Sequence, residues 1–401
     1  MKKNYFIIIL FSLWGCNSIM KEKYEDIVNP LDPIFIDATS LNETDVPLTL
    51  SQFAESISYI PLSENPLIGD ISYTKVVIAE DSIYLDCDNI YKYAPDGKFI
   101  KKLFVEGQGP GEALKYSITP AIFNIKEKYV TFSYKSIYDV SYSFDGVFLG
   151  KSNYYNAATD RKVLEKYFSD YYLYSISNVI TSDSKSKNSL GAHLFHVKDL
   201  YKDSIIYSYP NPAADYNPQN SKRGRIELHN PDMNFITIDS VLWFKHRILD
   251  TIFSTQDFIT ILPRYIFKTD NTYFNIHEYI DFKNGVVDIN RVKVSKTIEG
   301  ILPLPNGNLL FTIKGGKISF GDSSGIVNGC TMKLVKNDLD EYLKEIDIAS
   351  IIDNRNFHIY NNHLYILIDA FKFFEEGCKP PFKELYEDSN PIVLKIKLKK
   401  N

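Results

Sequence analysis

The chain is poor in cysteine: Cys16, Cys87, Cys330 and Cys378 are the only four in 401 residues, and no two form a Cys-x-x-Cys pair. That spacing excludes a disulfide framework and a cysteine zinc site. At most one pair could bridge in an oxidising compartment, and sequence does not choose which. Basic charge is no more plentiful, with 45 Lys and Arg against 50 Asp and Glu and a formal net charge of −5. No basic stripe emerges to neutralise phosphates, which argues against a nucleic-acid partner. Lys395, Lys397, Lys399 and Lys400 make the C-terminus basic, but alternation along a strand explains them as a solvated edge. Ala-rich and Leu-rich helix-forming stretches are scarce. The apolar run from Tyr5 to Trp14 is too short to span a bilayer. There is no Gly-x-Ser-x-Gly nucleophile elbow and no ordered Asp/Asn/Gly/Glu series of a calcium loop.

What is present is aromatic and strand-forming. The 29 Tyr and 26 Phe favour strands, and 44% hydrophobic residues suffice for a sizeable core. Tyrosines such as Tyr154, Tyr155, Tyr167, Tyr171, Tyr172 and Tyr174 invite a sugar-stacking reading, but strand cores use the same side chains and packing explains most of them. The N-terminus has a different purpose. Lys2 and Lys3 precede the apolar run, as in a secretory signal, and the run ends in Leu13-Trp14-Gly15-Cys16. This resembles the lipobox of bacterial lipoproteins, with residues 1–15 removed and the Cys16 thiol lipidated. The alternative is an ordinary signal peptide with an incidental cysteine. Residues 16–33 are polar and read as a tether, with residues 34–401 as the folded domain.

After the tether, short strands alternate with turn signals almost to the end. A first module places strands at 74–79, 82–86, 90–94 and 98–105, and a second at 120–124, 129–134, 137–142 and 147–151. Asp96-Gly97-Lys98-Phe99-Ile100 returns as Asp145-Gly146-Val147-Phe148-Leu149, and Asp-Gly is a strong hairpin signal. A repeat at a separation of 49 residues, with four strands per unit, points to propeller blades. Weaker modules follow: 171–177, 190–197 and 204–209; then 235–238, 241–246, 250–253 and 265–268; then 298–303, 308–314 and 330–335; then 357–360, 363–369 and 392–398. Short helical turns are expected at 338–344 and 373–386. The whole reads as an all-β, six-bladed β-propeller with four-stranded antiparallel blades. An N-terminal strand at 57–62 is expected to close it by pairing beside 392–398, which would remove exposed edges.

These residues together resemble the six-bladed β-propeller lipoproteins (TolB-like or NHL-like) of Gram-negative bacteria. The matching pieces are Tyr59-Ile60-Pro61-Leu62, Leu67-Ile68-Gly69 and Gly107-Gln108-Gly109-Pro110-Gly111-Glu112. Asp250-Thr251-Ile252-Phe253, Pro263-Arg264-Tyr265 and Asn390-Pro391-Ile392-Val393-Leu394 complete the series in order. The resemblance implies a fold and a cell-envelope location, the outer membrane in particular. It implies no reaction.

Candidate chemistry is sparse. The glycine-rich hexapeptide lacks the Lys-Ser/Thr pair of a phosphate loop and reads as a connection between two modules, with Gln108 and Glu112 placed to line one mouth of the ring. His193 and His196 fall on a strand, where positions three apart face opposite sides, so neither is assigned to a metal. The expected function is a non-catalytic binding module, anchored to the membrane through Cys16, for a protein or for a small-molecule or glycan ligand. The alternative is a calcium-dependent hydrolase or lyase with ligands from separate blades meeting in the central tunnel.

Overall fold

The computed structural model describes residues 33–40, 42–44, 47–69, 71, 74–109, 111–113, 115, 121–125, 127–134 and 138–153; beyond these, it describes 162–168, 171–176, 193–199, 204–210, 233–238, 241–246, 249–257, 260–273, 295–313, 317–321, 327–330, 334–354 and 356–400. Cys16, the signal segment and all but the end of the tether lie outside them. Among the described residues no helix is long and apolar enough to cross a membrane.

The first sheet is the meander Lys75–Ala79, Ser82–Asp86, Ile90–Tyr93 and Phe99–Lys102. Its Ala79↔Ser82 hairpin turns through Glu80 and Asp81, both at positive φ. The Asp-Gly signals fall at the last turn of the first and second sheets. Gly97 and Gly146 have φ of 85° and 73°, and a Cβ on either would run into a backbone carbonyl, of Pro61 and Leu103 respectively. Only glycine fits such a turn without strain. The second sheet, Ile122–Asn124, Tyr129–Tyr134, Tyr138–Ser143 and Phe148–Asn153, and the third, Lys162–Phe168, Tyr171–Ile176, His193–Asp199 and Ser204–Pro210, repeat the antiparallel meander. This succession of four-stranded antiparallel sheets is a propeller arrangement.

Two later sheets depart from what the sequence suggested. The fourth, Met233–Ile238, Val241–His246, Thr251–Thr255 and Leu262–Lys268, carries a fifth strand, Ile34–Asp37, parallel to its outer member. The fifth, Ile298–Pro303, Leu309–Ile313, Lys317–Gly321 and Val327–Cys330, carries Asn42–Thr44 in the same way. Six uniform four-stranded blades are therefore corrected, among the described residues, to four sheets of four strands and two of five, with two further two-stranded pairings. The reason is the alternation of Ile34-Phe35-Ile36-Asp37, which buries Ile36 while Phe35 faces water and so makes an edge strand from a segment to which no strand was assigned. The strand expected at 330–335 is replaced by Lys317–Gly321 and Val327–Cys330, and the third sheet gains Lys162–Phe168. No helix forms at 338–344; among the described residues the α-helix is Ile348–Asn354, packed against the fifth sheet. A 3-10 turn does form at Ala370–Phe374, overlapping the expected second helical stretch.

The sixth sheet, Phe357–Tyr360, His363–Ile368 and Ile392–Leu398, takes its outer strand from Ala54–Pro61, antiparallel with Tyr59 opposite Leu394. This is the pairing expected for residues 57–62. Tyr59 is held further: its hydroxyl donates to Asp340 Oδ2 at 2.8 Å, and its ring meets Tyr342 and Phe373 edge-on. Cores lie between sheets. Tyr84, Ile90, Phe104, Val130, Phe132 and Tyr142 join the first to the second. Val76, Leu85, Tyr93, Leu367 and Val393 join the sixth to the first, and Ile252, Tyr265, Phe267, Leu309 and Phe311 join the fourth to the fifth. Tyr84, Tyr93 and Tyr142 are thus core residues.

Candidate functional site

The glycine-rich loop sits between the first two sheets. Val105–Glu106 runs parallel to Glu112–Ala113 across it. Gly107 N–H donates to Ala113 O at 3.1 Å, Glu112 N–H to Gly109 O at 3.1 Å, and Gly109 N–H to Glu112 Oε2 at 2.8 Å. A Cβ on Gly107 would collide with that carboxylate, and one on Gly109 would lie 2.9 Å from it, so a larger residue at either position would push the Glu112 side chain off the loop. Tyr142 Oη donates to Gly111 O at 3.1 Å and fixes the loop to the second sheet. Of the two side chains expected to face a ligand, Gln108 is exposed, whereas Glu112 is half-buried and turned onto its own loop.

Below the loop lies a charged pair that sequence reasoning missed. Asp86 ends the second strand of the first sheet, and its Oδ1 is 2.8 Å from Lys115 Nζ, both side chains being buried. Lys115 also donates to Cys87 O at 2.6 Å, and Asp86 Oδ2 accepts from Ala121 N–H at 2.8 Å, where the chain enters the second sheet. These contacts pair two ions that would be costly to bury singly, although Asp86 Oδ1 takes the ion pair alone and no hydrogen bond. The available signal was a carboxylate closing Ser82–Asp86, a strand buried along its whole length. Beside them Asn89 accepts from Ile90 N–H at 2.7 Å and donates to Glu106 Oε1 at 3.2 Å. Burial pushes the Cys87 thiol up to about 12, so it keeps its proton and is no nucleophile. Cys87 and Cys378 are both free thiols.

The fourth sheet repeats the position with opposite charge. The hairpins Ala79↔Ser82 and Ile238↔Val241 put Asp86 and Lys245 each fifth along the second strand. Buried Lys245 donates to His246 O and to Ile298 O, each at 3.3 Å; Ile298 opens the fifth sheet. His246 is fully buried, and burial, reinforced by Lys245, lowers its pKa to about 3. In both places a buried charge stitches one sheet to the start of the next.

Outside the first stitch is an open groove of about 620 Å³. Phe104, Val105, Gly111 and Tyr142 form apolar parts of its wall, and Lys101, Lys102, Glu106 and Asp145 its charged parts. Lys101 donates to Asp145 O at 2.6 Å, and Lys102 lies 3.7 Å from Glu106. Such a site offers shape, backbone groups and two signs of charge, the ingredients of recognition. Among the described residues no three His, Cys, Asp or Glu side chains converge as a metal set. His193 and His196 do lie on one strand, His193–Asp199.

No family model matches the chain, and no curated protein matches it. Solved structures do. A protein from Bacteroides fragilis described as exported aligns over 92% of this chain and 99% of its own, at 14% identity and a TM-score of 0.55. A member of the DUF4221 family from Bacteroides vulgatus aligns over 86% and 97%, at 12% identity and a TM-score of 0.49. A streptogramin B lyase aligns over 87% and 99%, at 12% identity and a TM-score of 0.40. At these identities the likeness is one of fold, and the chain's own succession of four-stranded antiparallel sheets is what makes that fold a propeller arrangement.

Proposed function

We propose that this chain is a lipid-anchored, cell-envelope propeller whose six sheets close in a ring and which binds a protein or small ligand without catalysis. The groove between the first and second sheets carries the reading. It is open, mixed in polarity and built on backbone held by the 107–112 loop, while the nearest groups with catalytic potential are engaged: Asp86 by Lys115, Glu112 by Gly109, and Cys87 by its retained proton.

Ring closure is supported by contacts between successive sheets. Besides the cores already described, Ile122–Asn124 touches Lys162–Phe168, and the rings of Tyr209 and Phe253 meet at 5.9 Å. The fifth and sixth sheets share a core through Leu302, Leu310, Ile359 and Leu364. An envelope location is supported by the Leu13-Trp14-Gly15-Cys16 sequence and by the exported description of the Bacteroides fragilis protein. Multiple acyl chains on Cys16 would hold it firmly to a membrane. Gln108, exposed at the loop tip, is the hexapeptide side chain best placed to touch a ligand.

Full-length protein purified in detergent from its native envelope tests the reading. It is expected to carry a bound partner or ligand that the Val105→Asp variant loses. Stoichiometric calcium together with hydrolytic or lyase turnover would overturn it. Cys16→Ala is expected to abolish acyl labelling and membrane association; unchanged retention would overturn the anchor.

A further inference from the structure

The groove between the first and second sheets has one more cation than its carboxylates answer. Two carboxylates stand in its wall, and each has a lysine of its own. Glu106 has Lys102 at 3.7 Å and also accepts from Asn89 Nδ2 at 3.2 Å. Asp145 has Lys92 at 3.7 Å, a lysine whose side chain is only 12% exposed. Lys92 is held in place, donating to Phe144 O at 3.2 Å with its ammonium over the Tyr84 ring. The third lysine is Lys101. Its ammonium donates to the backbone oxygen of Asp145 at 2.6 Å, and among the described residues no carboxylate pairs with it. An ammonium has three donors, so two remain for another acceptor. Acids on neighbouring turns are engaged elsewhere, Asp96 with Lys98 and Glu80 with Lys128, and Glu112 is folded onto Gly109. A chain with a formal net charge of −5 thus keeps one unanswered positive charge at its groove.

The same groove has apolar sides. Val105 stands in its wall and is 67% exposed, and Val147, which follows Gly146 of the wall, is exposed as well. Tyr142 adds an aromatic ring, packed against Phe104 and against Phe148 with ring centroids 5.5 Å away in each case. Gly111 and Gly146 contribute backbone with no side chain to fill the space. Scattered exposed aliphatic side chains are ordinary, but here they meet aromatic rings and a cation in one hollow. Its 620 Å³ falls within the range of sites for small ligands.

We propose that the groove takes a small organic monoanion, an apolar or aromatic body carrying one carboxylate. The carboxylate accepts from Lys101 Nζ, and the body lies against Val105, Phe104 and Tyr142. One unanswered cation calls for one negative charge, and Glu106 and Asp145 repel a second. A monocarboxylate therefore fits better than a phosphate dianion or a polyacid. Lysine acts as a point charge rather than a planar fork, so the site selects charge and apolar shape together. The inference rests on the binding-module reading and names the ligand class of its groove.

The test is fluorine NMR on the full-length protein in detergent, with trifluoromethyl-phenylacetate and its neutral amide as probes. Phenyl phosphate and a short poly-aspartate peptide serve as competitors. The acid is expected to bind about tenfold or more tighter than the amide, and both competitors to displace it poorly. Lys101→Met should remove the advantage of the acid while leaving the amide as it was. Asp145→Asn, on a side chain that is 83% exposed, removes a like charge and should strengthen the acid several-fold. That gain keeps the test decisive if Lys101→Met misfolds. Equal binding of acid and amide, an advantage that survives Lys101→Met, tighter binding of phosphate or peptide, or no binding of either probe would overturn the proposal. A neutral, cationic or polypeptide ligand in the groove leaves the binding-module reading standing, whereas calcium-dependent turnover removes that reading whatever the probes do.

Discussion

The junction of the first and second sheets and that of the fourth and fifth begin alike and end differently. Each carries a buried charge at the fifth residue of a second strand, Asp86 in one and Lys245 in the other, reaching the entry to the next sheet. At the fourth and fifth sheets, residues 34–44 then cover both outer edges. At the first and second sheets no further strand among the described residues pairs with the outer edges, where Ser63 alone bonds Gly97 O and Phe99 N–H at the start of the first, and a groove flanked by exposed Val105 and Val147 remains. The chain spends its own extended segments on one side of the molecule. The groove side is where the proposed partner would bind.

The largest effect expected from breaking this comparison is at the ion pair. Lys115→Met leaves Asp86 buried without its counter-ion and should cost about 3–5 kcal/mol, read as a shift in denaturant midpoint; adding Asp86→Asn should recover part of the loss. If Lys115→Met is neutral, the first junction is not held by charge.

The second effect is confined to the other junction. The unfolded chain protonates histidine near 6.5, whereas folded His246 resists to about 3, so between these values the unfolded state binds more protons. The stability from neutral His246 is fully present above pH 6.5 and is lost as pH falls, at about 1.4 kcal/mol per pH unit. His246→Gln should flatten that slope in acid titrations of stability, and an unchanged slope would contradict the assignment.

Smaller effects sharpen the loop and the latch. Gly107→Ala should cost about 1–3 kcal/mol by overpacking against the Glu112 carboxylate, and Glu112→Ala in the same chain should relieve much of it. A double-mutant cycle without coupling would show that Glu112 does not dictate the glycine. Tyr59→Phe removes the hydroxyl bonded to Asp340 and should cost about 1–2 kcal/mol in thermal unfolding.

The features legible in the sequence were those written in neighbouring residues. Asp96-Gly97 and Asp145-Gly146 announce hairpins because the positive φ at the glycine leaves few alternatives. The strand expected at 57–62, found at Ala54–Pro61, was legible because its apolar alternation needs an edge to join. The Asp86–Lys115 pair was not, because its partners lie on opposite sides of a hairpin and a loop and no local rule links them. Nor was the helix Ile348–Asn354, whose isoleucines favour strands and are turned to helix by packing on the fifth sheet. The parallel strands at 34–44 were missed because a four-residue alternation looks the same in a lead-in as on an edge. At the site itself, the loop and its glycines were legible; that Glu112 folds onto them and the groove opens beside them depends on tertiary contact.

The claim that recognition belongs to the open side can be tested by placing a photo-crosslinking residue in the full-length protein in its native envelope, once at Val147 and once at Phe35. Both side chains are exposed, but Phe35 lies on a strand covering the fourth sheet. Irradiation is predicted to give a discrete adduct from position 147 and none from position 35. Equal labelling from both, or an adduct from position 35 alone, would contradict the account.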